Sequence, residues 1–268
     1  MPRVITSRDN ALYKRFAALS RSAPARKRGG FCLLEGEHLA ESYAARVGPL
    51  ELLALRATPG DVAPTPSQRR LLAQAREAVC LTPALFDALS SLVSPGGVLA
   101  IAVTPVAAPA VSRGFVLALD EVQDPGNVGT LIRTAAAAGV DQVWLSPGCA
   151  FAWSVKTLRA AQGAHFHIDV VEGIDLSRAL AQFAGRRYGL LAHDVGGLPS
   201  SDPFHARFET DVALVLSNEG HGLSESLLPC LDGGLHIPMA AGIESLNVAT
   251  AGALALYAMR PKRPVVPR

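Results

Sequence analysis

From residue 115 onward the chain alternates short apolar segments with longer segments of helical periodicity. We predict strands at Phe115–Leu119, Gln142–Leu145, Phe166–Val170, Tyr188–Ala192, Val212–Leu216 and Leu235–Pro238, and helices at 127–138, 154–162, 175–184, 224–230 and 245–260. The strands are apolar without strict alternation, which is typical of strands that are covered on both faces. This arrangement predicts an α/β fold with a mostly parallel sheet and helices on both sides.

The preceding residues predict a second, smaller α/β domain. Strands are expected at 31–36, 50–57 and 98–104, and helices within residues 1–20, at 38–46 and within 66–92. Residues 104–114 are rich in Pro and Ala, a composition that favours a linker. The predicted domains are therefore 1–103 and 115–268, joined by the linker 104–114.

Bulk composition excludes several classes of protein. Hydrophobic residues make up 49% of the chain, so general disorder is not expected. No apolar run reaches the ~18 residues of a membrane span, and the first residues lack the apolar stretch of a signal peptide, so we predict a cytoplasmic protein without membrane contact. The four cysteines form no CxxC pair. His165 and His167 alternate on a predicted strand but have no evident third ligand, so no metal site is predicted.

Positive charge is concentrated at the start of the chain. Residues 1–30 hold eight basic side chains and one acidic side chain, a net +7, whereas the whole chain has a net charge of +2. Such asymmetry suggests contact with a polyanion. The candidate contact residues are Arg8, Lys14, Arg15, Arg26, Lys27 and Arg28. The alternative is a solvated basic segment without a partner.

A first block of polar residues follows the strand at 115–119. Residues 124–127, Asp-Pro-Gly-Asn, favour a turn, and Asn127 is a candidate N-cap for the next helix. Arg133 lies within that helix, about 9 Å further along its axis. Free backbone N–H groups and a guanidinium are suited to a phosphate group. The alternative is an ordinary capped helix with an arginine on its surface.

Two further blocks come after later strands. In residues 216–224 two glycines allow a close approach of backbone to a ligand, and Glu219 lies where the strand ends. In residues 237–251 a loop of small residues separates a strand from a long apolar helix that starts near Ser245 and Asn247. Backbone groups of residues 237–246 are candidates to hold an adenine edge. Ligands of α/β proteins gather at such strand ends.

In order and spacing the three blocks resemble the signature motifs of the SpoU family of RNA ribose 2′-O-methyltransferases, within the SPOUT class, over residues 115–260. Residues 1–103 resemble the L30e-like RNA-binding domain that often precedes them. The resemblance implies a trefoil knot, S-adenosyl-L-methionine as cofactor and a homodimer. It implies catalytic roles for Asn127, Arg133, Glu219, Ser245 and Asn247, and contacts to the methyl donor from Ser217, Asn218, Gly220, Ile237, Met239 and Leu246.

The expected activity is therefore 2′-O-methylation of a ribose in structured RNA, with 23S ribosomal RNA as the first candidate substrate and transfer RNA as the alternative. Two rivals remain open from the sequence. One is an RNA-binding protein without activity, and the other is a nucleotide-binding enzyme that acts on a small molecule. The sequence does not identify the methylated nucleotide, nor whether the activity confers resistance to an antibiotic.

Overall fold

The structure is a computed structural model, which describes residues 2–57, 63–92, 96–191, 198–218 and 222–260. The chain divides into two compact units. The first contains residues up to Val106 together with Trp153–Phe166, and the second contains Ala107–Ala152 together with the residues from His167 onward. Within the described ranges, no helix has the length and apolar character needed to cross a bilayer.

The first unit is built on a five-stranded mixed sheet. Its elements up to residue 106 are β1 (Val4–Ile5), α1 (Ala11–Arg21), α2 (Ala23–Gly29), β2 (Phe31–Glu35), α3 (Glu37–Arg46), β3 (Leu52–Arg56), α4 (Pro66–Ala73), β4 (Ala78–Leu81), α5 (Pro83–Asp87) and β5 (Val98–Val103). The strand order is β1-β4-β3-β5-β2. Strands β1, β4 and β3 are parallel, whereas β5 is antiparallel to both β3 and β2. Strand β2 therefore lies at an edge of the sheet.

The second unit is built on a seven-stranded sheet. Its elements are β6 (Phe115–Asp120), α6 (Pro125–Ala138), β7 (Gln142–Leu145), β8 (Asp169–Glu172), α8 (Leu176–Gln182), β9 (Arg186–Leu190), β10 (Ser200–Ser201), β11 (Val212–Ser217), β12 (Gly233–Leu235) and α9 (Val248–Met259). The strand order is β10-β12-β9-β11-β6-β7-β8, and every neighbouring pair is parallel. The predicted α/β class with a mostly parallel sheet is confirmed.

The segment 153–166 packs in the first unit, although the predicted boundaries assign it to the second domain. It contains α7 (Val155–Ala161) and a 3₁₀ turn, Ala164–Phe166. Helix α7 contacts β2, and Val155 packs on the core cluster that contains Phe16 and Leu33. The ring of Phe166 meets that of Tyr43 edge-on, with centroids 5.3 Å apart. The segment thus covers the edge strand of the sheet, a position that would otherwise expose unpaired backbone groups.

Several predicted elements differ from the structure. The region 66–92 is not all helical, because β4 lies between α4 and α5 and pairs with β1 and β3. Residues 224–230 hold only a 3₁₀ turn, Leu228–Cys230. The predicted strand 166–170 begins later, at Asp169, because Ala164–Phe166 forms a 3₁₀ turn. Helix α9 begins at Val248, because Asn247 is its N-cap. Ala192, at the end of another predicted strand, lies outside the described residues.

Helix α9 packs closely against α6 and β11. Gly252 makes this approach possible, because a Cβ atom there would lie 2.5 Å from Leu131 Cδ2 and 2.6 Å from Leu216 Cδ1. The interface is apolar and buried, with Leu131, Leu216 and Leu256 each at most 1% exposed. The close packing fixes where the N-terminus of α9 lies relative to α6, and both helix starts carry residues predicted to be functional.

Candidate active site

The carboxyl ends of β6 and β11 lie side by side in the sheet. Their parallel register places Ser217, the last residue of β11, opposite Asp120, the last residue of β6. On one side of this pair the sheet continues through β7 and β8, and on the other side through β9. Such a change of direction in strand order opens a crevice at the carboxyl edge, which is where ligands bind in α/β sheets.

The starts of α6 and α9 meet at a hydrogen bond between two asparagine side chains. The Nδ2 atom of Asn247 donates to Oδ1 of Asn127 at 3.1 Å. Oδ1 of Asn247 also accepts from the backbone N–H groups of Ala249 and Thr250, so Asn247 both caps α9 and contacts α6. The structure thereby joins the first and third blocks of the sequence, which are 120 residues apart.

Asn127 is not the N-cap of α6, contrary to the prediction. That position is occupied by Asp124, whose Oδ1 accepts from the backbone N–H of Asn127 at 2.9 Å. An aspartate three residues ahead of an asparagine can take the cap because either side chain can accept from a helix N–H group. Since Asp124 satisfies the backbone, the amide group of Asn127 is available to Asn247.

Two other predicted catalytic residues are exposed. Arg133 lies on the exposed side of α6 and forms no ion pair within the part of the chain that the structure describes. Ser245 is exposed in the loop before α9. No hydrogen bond joins either of them to Asn127 or Asn247 among the described residues. Glu219, the fifth predicted catalytic residue, lies outside the described residues.

Of the described residues predicted to contact the methyl donor, Ser217 and Asn218 lie at the end of β11, Ile237 and Met239 follow β12, and Leu246 lies just before α9. Ser217 and Asn218 are half-buried, and the backbone carbonyl of Asn218 accepts from Gly222 N at 3.1 Å. Gly222 has a φ of +68°, a conformation that favours glycine. After β12, Ile237 is 9% exposed, and Met239 and Leu246 are half-buried. Gly220 lies outside the described residues.

The chemistry of these groups suits a nucleoside. Ile237, Met239 and Leu246 supply apolar surface, and Ser217 and Asn218 supply hydroxyl and amide groups. The backbone N–H groups of Ile237, Met239 and Leu246 donate to no other backbone carbonyl in the described ranges. Apolar side chains can hold a nucleoside base between them, and unpaired backbone N–H groups can donate hydrogen bonds to its edge.

Sequence reasoning gave no role to two residues that the structure places at the same edge. Asp120 is 5% exposed, and its Oδ2 accepts from both the backbone N–H and the hydroxyl of Ser224, at 3.1 and 2.6 Å. Both residues lie within or next to the sequence blocks. The one local signal was an acidic residue at the end of a fully apolar strand, where a buried carboxylate needs hydrogen-bond donors.

In the first unit, the basic residues predicted to contact RNA differ in their surroundings. Arg8, Lys27 and Arg28 are exposed, Lys14 pairs with Asp9 at 3.2 Å, and the guanidinium of Arg15 lies 4.9 Å from the ring centroid of Phe31. A guanidinium or ammonium group on the surface remains able to meet a phosphate group.

Arg26 corrects that prediction, because it is only 7% exposed. Its guanidinium donates to the backbone carbonyls of Leu19 and Ser20, in the last turn of α1. Burial lowers the pKa of Arg26 from its ordinary value. Arg26 therefore stabilises the C-terminal end of α1, where helix carbonyls lack partners, and its charge does not face a polyanion.

The prediction of a strand that carries both His165 and His167 is also wrong. His165 belongs to the 3₁₀ turn Ala164–Phe166 and is 3% exposed. Its ring packs beside the indole of Trp153, with centroids 5.0 Å apart. His165 is therefore part of the packing of the segment 153–166.

The fold and the site define an α/β protein that gathers polar and apolar residues at the carboxyl edge of a parallel sheet, with the exposed Arg133 on the helix that follows β6. The chain matches the SpoU rRNA methylase family over residues 114–257, more than half of its length, and it belongs to that family. The family that the three blocks predicted is thus confirmed, and with it the class of RNA methyltransferases.

Relatives that align with most of this chain support this assignment. The chain is 36% identical to the 23S rRNA (guanosine(2553)-2′-O)-methyltransferase RlmP of Bacillus subtilis, over 85% of this chain and 88% of that protein. It is 32% identical to the mitochondrial rRNA methyltransferase 3A of Danio rerio, over 93% of this chain and 68% of that one. The crystal structure of the SpoU methyltransferase AviRb from Streptomyces viridochromogenes in complex with AdoMet is similar, with a TM-score of 0.79, 26% identity and coverage of 93% of this chain and 96% of that one.

Proposed function

We propose that the protein transfers a methyl group from S-adenosyl-L-methionine to the 2′-hydroxyl of a ribose in structured RNA, with 23S ribosomal RNA as substrate. The observation that carries this proposal is the hydrogen bond between Asn127 and Asn247, which joins two motifs at the edge formed by β6 and β11. The name of RlmP, a 23S rRNA 2′-O-methyltransferase, supports the choice of substrate. The bound cofactor of AviRb supports the choice of methyl donor.

The reaction requires the activation of a poor nucleophile, the ribose 2′-hydroxyl. When bound, S-adenosyl-L-methionine supplies a methyl group on a positively charged sulfur. The residues of this chain must orient the ribose hydroxyl and favour loss of its proton. The joined amides of Asn127 and Asn247 are fixed by α6 and α9, so they are suited to orient that hydroxyl.

Arg133 supplies the positive charge. A guanidinium stays protonated at neutral pH, so we assign it the binding of the phosphate next to the reacting ribose. Its charge lowers the pKa of the hydroxyl, and the proton passes to a phosphate oxygen late in the transfer. The exposure of Arg133, without an ion-pair partner in the described ranges, leaves its planar fork available for two parallel hydrogen bonds. Ser245 and Glu219 keep their proposed catalytic roles.

The donor would lie against the ends of β11 and β12. We assign it contacts with Ser217, Asn218, Gly220, Ile237, Met239 and Leu246. The fit of apolar side chains, polar groups and free backbone N–H groups supports this assignment.

We assign the reading of RNA to the first unit, as an L30e-like domain. Its residues carry fifteen basic and eight acidic side chains, a net +7, whereas those of the second unit carry a net −5. A positive unit attached to a negative one favours binding of the polyanion through the first. Arg8, Lys14, Lys27 and Arg28 are its exposed candidates. With ribosomal RNA as substrate, the cytoplasm is the proposed location.

We also propose the trefoil knot and the homodimer. Helix α9 follows β12, the second strand from one edge of the sheet, but packs on α6 and β11 near its centre, which supports a C-terminal chain that returns through the fold. An apolar groove of about 440 Å³ runs along α9, and its lining residues include Phe204, Leu254 and Tyr257. These three side chains are 51%, 38% and 52% exposed, and apolar patches of this kind mark interaction surfaces.

The proposed chemistry is tested by the variant Arg133→Lys. Lysine keeps the charge but lacks the planar fork, so we expect RNA affinity within about twofold of wild type and turnover reduced about 10²–10³-fold. Single-turnover transfer of labelled methyl to 23S transcripts measures the rate, and filter binding measures the affinity.

The matched control is Arg178→Lys, at an exposed position near the start of α8, and it should behave as wild type. Near-normal turnover of Arg133→Lys would contradict the assigned role. Transfer to transfer RNA instead of 23S RNA would select the alternative substrate. Binding of RNA without transfer to either would select the RNA-binding protein.

A further inference from the structure

We propose that Asp120 and Ser224 form a positioning pair, which fixes the described ends of the loop after β11, Asn218 and Gly222, and thereby sets the affinity for the methyl donor. This inference rests on the proposed function, since it assumes that the donor binds at that loop. Neither residue is assigned to the reacting atoms. The pair acts through the loop residues, Asn218 and Gly222 in particular.

The pair attaches Ser224 to the last residue of β6. Ser217 lies next to Asp120 in the sheet, so the chain leaves the edge beside this carboxylate. It returns to the same carboxylate at Ser224, which donates two hydrogen bonds, at 3.1 Å from its N–H and 2.6 Å from its hydroxyl. Between these points, Asn218 and Gly222 form an isolated antiparallel bridge. Both ends of the loop are thus attached to the last residue of β6.

The electrostatics of Asp120 favour a dedicated role. The residue is 5% exposed, and no ion pair involves it among the described residues. A buried carboxylate without a cation loses much of its solvation, and two donors on one oxygen restore only part of it. Loss of either donor of Ser224 would leave this buried carboxyl group with fewer partners, which is unfavourable.

A second aspartate, Asp211, links the same two strands at their other ends. Asp211, just before β11, accepts from the backbone N–H of Gly114, just before β6, at 2.8 Å. It also pairs with Arg113 at 3.2 Å and is half-buried. Both aspartates therefore tie the β6 and β11 chains together, but only Asp120 does so at the edge where the donor is proposed to bind. Asp211 provides a matched control for a purely structural contribution.

The experiment measures the dissociation constant for S-adenosyl-L-methionine by calorimetry with the full-length protein. We expect Ser224→Ala to raise it about threefold and Asp120→Ala about tenfold, whereas Ser224→Thr, which keeps the hydroxyl, should restore the wild-type value. Affinity for RNA should stay within about twofold of wild type. The amide of Gly222 should exchange with solvent faster in Ser224→Ala, because its bond to Asn218 loses support.

The control Asp211→Ala should lower the melting temperature and leave donor affinity unchanged. Equal loss of donor affinity in Asp211→Ala would overturn the inference, because general destabilisation would then explain both effects. Unchanged donor affinity in both Ser224→Ala and Asp120→Ala would overturn it as well, while the proposed function would stand. Failure of the wild-type protein to bind the donor would overturn the proposed function and the inference together.

Discussion

Glu121 holds a left-handed backbone conformation directly after β6, with a φ of +54°. Its backbone N–H donates to the hydroxyl of Ser146 at 2.9 Å, which fixes the turn into the first motif. Its side chain is exposed, and a Cβ atom at Gly148 would lie 2.8 Å from Glu121 Cγ. Residues other than glycine in this region are strained, and such strain is often found at functional sites.

Replacement of Glu121 by glycine and by valine should move stability in opposite directions. Glu121→Gly removes the strain, so we expect the free energy of unfolding to stay constant or rise by up to about 1 kcal/mol. Glu121→Val should lower it by about 1–2 kcal/mol, because a β-branched side chain tolerates this conformation poorly. Chemical denaturation followed by circular dichroism measures both. The control Glu209→Gly, at an exposed position without positive φ, should be slightly destabilising. A destabilised Glu121→Gly would argue that the side chain itself is needed.

At the scale of single residues, the sequence predicted which residues lie at the site better than it predicted the hydrogen bonds that each of them forms. Asn127 and Asn247 were both predicted functional residues, and their side chains meet. The choice of Asp124 as the N-cap was not predictable, because Asp and Asn cap helices about equally well. The burial of Arg26 was not predictable either, because its partners are carbonyls at the end of a different helix.

Among the elements, the strands and helices of the second unit were largely predictable because each carries a continuous local pattern. The starts of β6, β7 and β11 coincide with the predicted ones. Strand β4 was missed because its four residues, Ala78–Leu81, are defined by pairing with β1 and β3 and not by a local period. The bounds of β12 were mispredicted for a similar reason. Two of its three residues are glycines, which give no strand pattern, and the predicted strand at 235–238 overlaps it only at Leu235.

The position of β12 depends on an ion pair with β9. Both side-chain oxygens of Asp232 accept from the guanidinium of Arg187, at 2.9 and 3.0 Å, and the backbone N–H of Arg187 donates to the same carboxylate at 2.9 Å. These contacts, chiefly the side-chain hydrogen bonds of Arg187, hold the pKa of Asp232 below its ordinary value. Because the folded-state pKa is lowered, the stabilisation is present above the unfolded pKa of about 3.9 and is lost as the pH falls through the folded value.

The variant Asp232→Asn should therefore be less stable than wild type at pH 7, by about 1–3 kcal/mol, and the difference should shrink as the pH falls below about 4. Urea denaturation at pH 7, 5 and 3 measures the change. The exposed Asp169→Asn is the control and should follow wild type at each pH. A difference that persists undiminished at pH 3 would mean that the carboxylate charge is not what stabilises the start of β12.

For the whole molecule, the class of fold and the family followed from the sequence, whereas the packing of the segment 153–166 in the first unit did not. The alternation of strands and helices identified the parallel sheet, because that pattern is repeated along the chain. The assignment of the segment 153–166 to the first unit depends on contacts with β2 and Tyr43, which are far away in sequence. Such contacts leave no trace in local periodicity.

The proposed homodimer makes a prediction at the same scale. Placing charges in the apolar groove with Leu254→Lys and Tyr257→Glu should convert a dimer into a monomer, because burial of an unpaired charge is unfavourable. Analytical ultracentrifugation at micromolar concentration measures the mass. Val106→Lys, at a residue that is 96% exposed and belongs to the first unit, is the control and should leave the mass unchanged. A wild-type protein that sediments as a monomer would contradict the proposal.

The packing of the segment 153–166 on β2 has a consequence for folding during synthesis. Ribosomes release the chain from its amino terminus, so Phe31–Glu35 emerges about 120 residues before Trp153–Phe166, the segment that completes its unit. At ~5–20 residues added per second, the nascent chain carries a bare strand edge for roughly 6–24 s. We expect chaperones to bind the nascent chain during this interval. A chain truncated before residue 153 should tend to aggregate, because the exposed edge of β2 can pair with strands of other molecules.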